Sequence, residues 1–210
     1  MMRYGWFALI LMLGACTGHG GADYRAYLAQ KGVAQIAPEH FSHCRGYGCK
    51  YIDTDIKLTA QDWIDIRALF PQPATSAAQE RERIASAIGL FEEKTGALTG
   101  TTRDIEGTYR KVGPYQHDCV DESVNTTIYL SLLDQQGLLS QHAIAAPTAR
   151  LPIVARGLGP HQTAVIAEKS TGIRYAVDSW FHDNGQPAEI VALDKWFFGW
   201  RPQKSSPSSE

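Results

Sequence analysis

Val120, Val124, Ile128 and Leu132 recur every four residues, and this stripe constrains the chain more than any other feature. Apolar side chains at that spacing share one face of a helix, and the face has to be buried. Asp118 stands where an N-cap belongs, and Asp121 three residues later completes an approximate capping box. Gly137 follows where such a helix stops. The spacing therefore predicts a helix over 119–136 with Cys119 as its first residue.

The flanking sequence supplies the rest of a core. Trp63, Ile66, Leu69 and Phe70 predict a helix over 59–70, ended by Pro71 and Pro73. Ile84, Ile88 and Phe91 predict a longer one over 76–95, with Gly96 beyond its end. Residues 100–115 are polar and irregular. Two strand-like runs, 161–167 and 173–181, are joined by the turn residues Glu168-Lys169-Ser170-Thr171-Gly172. A further segment, 188–200, ends in Trp196-Phe197-Phe198-Gly199-Trp200, and the Ser/Pro tail over 203–210 reads as disordered. Helices first and strands afterwards indicate an α+β domain, here one domain over 24–202. At 210 residues with 44% hydrophobic content, the chain is long enough for a substantial core. A formal net charge of -2 offers no basic face for nucleic acid.

The N-terminus reads as a processing signal. Arg3 precedes the apolar run Trp6 to Leu13, which is shorter than the roughly 20 residues a membrane span needs. Leu13-Gly14-Ala15-Cys16 resembles the bacterial lipobox, which implies cleavage after residue 15 and lipidation of Cys16. An ordinary secretory signal and an uncleaved anchor are the alternatives. Thr17 stands where an inner-membrane retention signal places Asp, so the resemblance implies the periplasmic side of the outer membrane. Residues 1–15 would then be the signal and 16–23 a tether.

The remaining cysteines divide by setting. Cys44 and Cys49 flank the glycine-rich stretch Arg45-Gly46-Tyr47-Gly48, where a disulfide in an oxidising compartment is the leading reading. Free thiols, or a metal held with His43, are the alternatives, though no second ligand cluster lies nearby in sequence. Cys119 is left without a partner. At a helix start the partial positive charge and unpaired N–H groups favour thiolate over thiol, and the same N–H groups can meet an oxyanion. A small buried cysteine filling core space is the bland alternative.

His161 and Asp178 lie on the two strand-like runs. A turn centred between Lys169 and Ser170 pairs residues whose numbers sum to 339, which sets His161 directly opposite Asp178. Either residue alone has an ordinary structural reading. Together with Cys119 they form a nucleophile, a base and an orienting acid.

The order Cys119, His161, Asp178, with the cysteine at a helix start and the other two on successive strands, resembles the transglutaminase-like superfamily. Asp118-Cys119-Val120-Asp121-Glu122 is similar to the acidic run around the nucleophile in bacterial transglutaminase-like cysteine proteinases. The resemblance spans roughly residues 75–200 and implies a papain-like fold with the Cys helix packed on an antiparallel sheet. It implies thiol-dependent hydrolysis of amide bonds in a protein or peptide through a thioester. Acyl transfer to amines and a non-catalytic envelope binding lipoprotein are the alternatives. Gln116 is a candidate oxyanion donor, although it lies closer to the cysteine than the family's glutamine usually does. Trp180 is a candidate wall of the site, or simply core. Calcium binds some relatives, and the acidic residues near Cys119 permit it, but no calcium-loop spacing is present. No cofactor and no metal site are expected. His117, His142 and His182 are unassigned and read mostly as surface residues.

Overall fold

The computed structural model describes residues 23–108, 113–152 and 159–203. The expected signal segment, Cys16, nearly all of the tether and the tail from 204 lie outside the described residues. Among the described residues no helix is long and apolar enough to cross a membrane.

The chain forms two antiparallel sheets with helices between and around them, a mixed α+β architecture. After α1 (Tyr24–Gln30), strands β1 (Ile36–Ala37), β2 (His40–Arg45) and β3 (Tyr51–Ile56) make a three-stranded sheet in that order. Helices α2 (Ala60–Ala68), α3 (Ala77–Thr99) and α4 (Cys119–Gln135) follow. Strands β4 (His142–Arg150), β5 (His161–Glu168), β6 (Arg174–Asp178) and β7 (Glu189–Ala192) form a four-stranded meander, and α5 (Leu193–Phe197) closes the chain.

The starts of α2 and α4 follow their sequence signals. Thr59 and Asp62 form a capping box on α2, and Asp118 and Asp121 form one on α4. The expected end of α3 is corrected: the helix runs through Gly96 to Thr99 and is capped by Gly100 at φ 82°. Gly96 is needed for contact rather than termination. A Cβ there would lie 3.2 Å from Thr102 Cα, and one on Gly89 would fall 2.7 Å from the Gln186 carbonyl oxygen. The helices-then-strands order is also corrected, since a sheet precedes the long helices. Its strands are short and mostly polar, so no alternation announced them. Strand β4 likewise carries no clear strand signal, because His142–Arg150 is alanine-rich and contains Pro147.

Helix α4 is the axis of the molecule. It packs against β5 on one side and β2 on the other, and every residue from Asp121 to Leu133 is buried. The apolar stripe is thus only part of its buried surface. The polar residues elsewhere on α4 are accommodated by specific bonds. Asn125 accepts from Cys44 N–H at 2.7 Å and donates to Cys44 C=O at 2.8 Å, standing in for a neighbouring strand. Phe91 of α3 stacks on Tyr129 of α4 at 4.9 Å, and Ile84, Ile88, Val124, Ile128 and Leu132 fill the core around them.

Candidate active site

Cys119 is the first residue of α4, as its capping sequence requires. Two segments hold that helix end in place. Cys44 and Cys49 are joined by a disulfide, and the four residues Gly46, Tyr47, Gly48 and Cys49 all have positive φ. Successive left-handed residues turn their N–H groups to one side, forming an anion-binding nest. Here the anions belong to the helix itself. Tyr47 and Cys49 N–H donate to the two oxygens of Asp121 at 2.6 Å each, and Gly48 N–H donates to Asp118 at 3.1 Å. Left-handed backbone is costly for Tyr47 and Cys49, which lack glycine's freedom, and the carboxylates and the disulfide together hold it.

His161 opens β5 and Asp178 ends β6. The register pairs Ala164 with Val177, a sum of 341, so the expected direct pairing of His161 with Asp178 is corrected by two residues. A two-residue slip preserves the face, whereas one residue would have reversed it. The side chains still meet, with His161 Nε2 2.7 Å from Asp178 Oδ2. A carboxylate only accepts, so Nε2 carries a proton, and in the neutral ring Nδ1 keeps a free lone pair. That Nδ1 is buried and has no hydrogen-bond partner among the described residues. Cys119 lies at the same strand start, close enough to the backbone of Gln162, the residue after His161, for it to favour the thiolate.

The thiol departs from the sequence expectation. Burial pushes Cys119 up to about 11, and the nearby Asp118 and Asp178 carboxylates add to that rise. The helix N-terminus offsets this only in part, through Cys119's own backbone N–H, because Asp118 already occupies the next two donors. Its Oδ1 accepts from Val120 N–H and Asp121 N–H, each at 3.0 Å. The cap that defines the helix start therefore uses the positive end that was expected to stabilise a thiolate and an oxyanion. Cys119's own N–H faces its sulfur.

Trp180 packs on His161 with centroids 4.6 Å apart, and its indole N–H donates to Thr108 C=O. Gln116 is engaged elsewhere. Its amide donates to Arg103 C=O at 2.7 Å and accepts from Ile105 N–H at 3.2 Å, so it braces the loop before α4.

Two further residues belong to the site. Trp196 Nε1 donates to Asp178 Oδ2 at 2.7 Å, sharing with His161 the oxygen that orients the imidazole. The aromatic cluster at 196–200 was visible in sequence, but nothing marked which ring would turn inward. Tyr27 of α1 is held by Gln162, whose amide also donates to Ser123, and lies close enough to Cys119 to feel its charge. One of two tyrosines on a short helix gives no sequence signal.

The unassigned histidines are corrected. His117 and His142 are buried, and only His182 is partly exposed, against Glu189 at 2.9 Å. His142 Nδ1 donates to Glu80 Oε1 at 3.0 Å, and its Nε2 accepts from Arg81 at 3.3 Å. Glu80 also accepts from the N–H groups of Ser140, Gln141 and His142 and from the Ser140 hydroxyl. Despite burial, these bonds hold the Glu80 carboxyl down to about 2. This is a clasp between α3 and β4.

Compared with protein-family models, curated proteins and solved structures, the chain matches none.

Proposed function

We propose that the chain is a papain-like, transglutaminase-like cysteine hydrolase that cleaves amide bonds in a protein or peptide. In this reading Cys16 carries a lipid anchor at the periplasmic face of the outer membrane. The observation that carries the catalytic part is the buried His161 Nδ1 without a partner, on a ring whose Nε2 is locked to Asp178 beside Cys119. A buried nitrogen left unused costs roughly 1–3 kcal/mol. Such a cost is expected where a base must keep its lone pair for a reacting proton.

With the thiol protonated at rest, attack on the carbonyl is coupled to proton transfer. Sγ bonds the carbonyl carbon as His161 Nδ1 takes the thiol proton, and Asp178 stabilises the imidazolium. Collapse of the tetrahedral intermediate expels the amine, protonated by His161, and leaves a thioester on Cys119. Water, deprotonated by the same nitrogen, then releases the acid.

A specific observation favours the alternative of a binding lipoprotein: a thiol raised to about 11 is what an inert buried cysteine shows. Alkylation of Cys119 at pH 7 decides between them. An assembled triad makes wild-type labelling at least tenfold faster than in His161→Gln or Asp178→Asn. Equal rates in all three proteins end the catalytic reading. Incorporation of a labelled primary amine into a peptide would make the enzyme a transferase instead.

A further inference from the structure

Behind the Cys119 end of α4 lies a second polar cluster that the proposed chemistry does not use. Asp104 comes from the loop after α3, His117 from the residues leading into α4, and Glu122 from its first turn. All three are buried, and one donor atom of each lies within 4.8 Å of the other two. His117 Nδ1 is 2.9 Å from Asp104 Oδ2 and 3.1 Å from Glu122 Oε1.

The remaining polar atom of each residue is tied to a different partner. Asp104 Oδ1 accepts from His117 N–H at 2.8 Å, and Glu122 Oε2 accepts from the Ser179 hydroxyl at 2.7 Å. His117 Nε2 faces His43 Nε2 at 3.2 Å, and His43 Nδ1 meets the Tyr129 hydroxyl at 3.1 Å. Tyr129 in turn meets Thr95 at 2.8 Å, and Thr95 donates to Phe91 C=O. One proton assignment fits the whole chain. His117 Nε2–H donates to His43, His43 Nδ1–H to Tyr129, and Tyr129 O–H to Thr95. Outer contacts of this kind fix the orientation of metal-binding side chains.

Charge supplies an independent argument. Among the described residues no lysine or arginine pairs with Asp104 or Glu122, and their only ion-pair partner is His117. Glu92 of α3 stands in the field of both Glu122 and His117. It is only 7% exposed, and its buried Oε1 has no hydrogen-bond partner. Among the described residues, two carboxylates therefore face one imidazole, His117, with the Glu92 carboxyl in their field.

We propose that Asp104 Oδ2, His117 Nδ1 and Glu122 Oε1 bind one divalent transition-metal ion of the zinc class. Zinc bonds to nitrogen and oxygen of about 2.0–2.2 Å place tetrahedral ligand atoms about 3.3 Å apart, close to the spacings around His117. Imidazole with two carboxylates suits zinc better than calcium, which takes oxygen ligands alone. The ion replaces the proton on His117 Nδ1 and balances the two carboxylates. It ties the first turn of α4 to the loop bearing Asp104. Through Ser179, it also ties that turn to the residue after Asp178.

The test is zinc titration of the purified protein after chelator treatment, read by bound metal, X-ray absorption and thermal unfolding. The expected result is one zinc per chain, nitrogen and oxygen ligands without sulfur, and a higher Tm. Asp104→Asn should weaken binding at least tenfold, while Cys119→Ala should leave zinc content unchanged. The proposal is overturned by less than a tenth of an equivalent of zinc without a Tm shift. Sulfur ligation, or loss of zinc in Cys119→Ala, also overturns it by placing the ion on the thiol. Should Asp104→Asn not fold, wild-type stoichiometry and ligand type decide alone.

Discussion

Two buried histidine–carboxylate pairs have their histidines on the same four-stranded sheet, and they differ in one nitrogen. At His142–Glu80 both ring nitrogens are engaged, and the carboxylate also accepts from three backbone N–H groups and a hydroxyl. At His161–Asp178 the carboxylate is shared with Trp196, and Nδ1 is left over. A saturated pair holds a fold together, while an unsaturated one keeps capacity for something absent. Residue identity and burial do not separate the two pairs. Completeness of bonding does.

That distinction breaks if the wrong pair proves essential for chemistry. The largest effect expected is on turnover. His161→Gln should slow amide cleavage by about a hundredfold to ten-thousandfold, the usual contribution of a general base. Its unfolding free energy should change far less, because glutamine can still donate to Asp178. Kinetics and urea denaturation on the same variant read both. An active His161→Gln would remove His161 from the mechanism.

Glu80→Ala should show the converse. Removing one member of a buried, hydrogen-bonded pair costs about 3–5 kcal/mol, and here several donors lose their acceptor together. The midpoint of urea unfolding should fall sharply. At temperatures where the variant remains folded, Cys119 labelling should match wild type.

Trp196→Phe sharpens the comparison by altering the unsaturated pair from behind. Loss of a hydrogen bond to a charged acceptor costs about 1.5–3 kcal/mol. Part of that loss should appear as slower Cys119 alkylation, since Asp178 Oδ2 then has only His161 to hold it. A stability loss with unchanged labelling would make Trp196 a core residue alone.

The smallest effect concerns acid. Glu80 sits near 2 in the fold against an ordinary 4.5, so its contribution is complete above about 4.5. That contribution is lost as pH falls through this window towards 2. Wild type should lose stability more steeply there than Glu80→Gln, which cannot titrate. Parallel curves would remove Glu80 as the source.

The legible and illegible parts of this protein separate along physical lines. The start of α4, its cap and the position of Cys119 were readable because capping and periodicity act within one turn. The meeting of His161 and Asp178 was readable despite a register error, because strand parity survives a two-residue slip. The low thiol pKa was read wrongly from the same local features. It depends chiefly on burial, which spacing does not report; the Asp118 cap was legible, but its carboxylate's effect on the thiol was not. Trp196, Tyr27 and the Asp104–His117–Glu122 cluster were missed because their partners come from distant segments.

Sequence alone determined what short-range forces decide: the starts of α2, α3 and α4, the turn between β5 and β6, and the close spacing of Cys44 and Cys49. Tertiary structure decided how each polar group is used. It sent Gln116 to the loop at 103–105, Asp118 and Asp121 to the nest at 46–49, and His142 to Glu80. It also left His161 Nδ1 without a partner. The reason is that a hydrogen bond needs two groups within about 3 Å, and in this chain most such partners lie tens of residues apart.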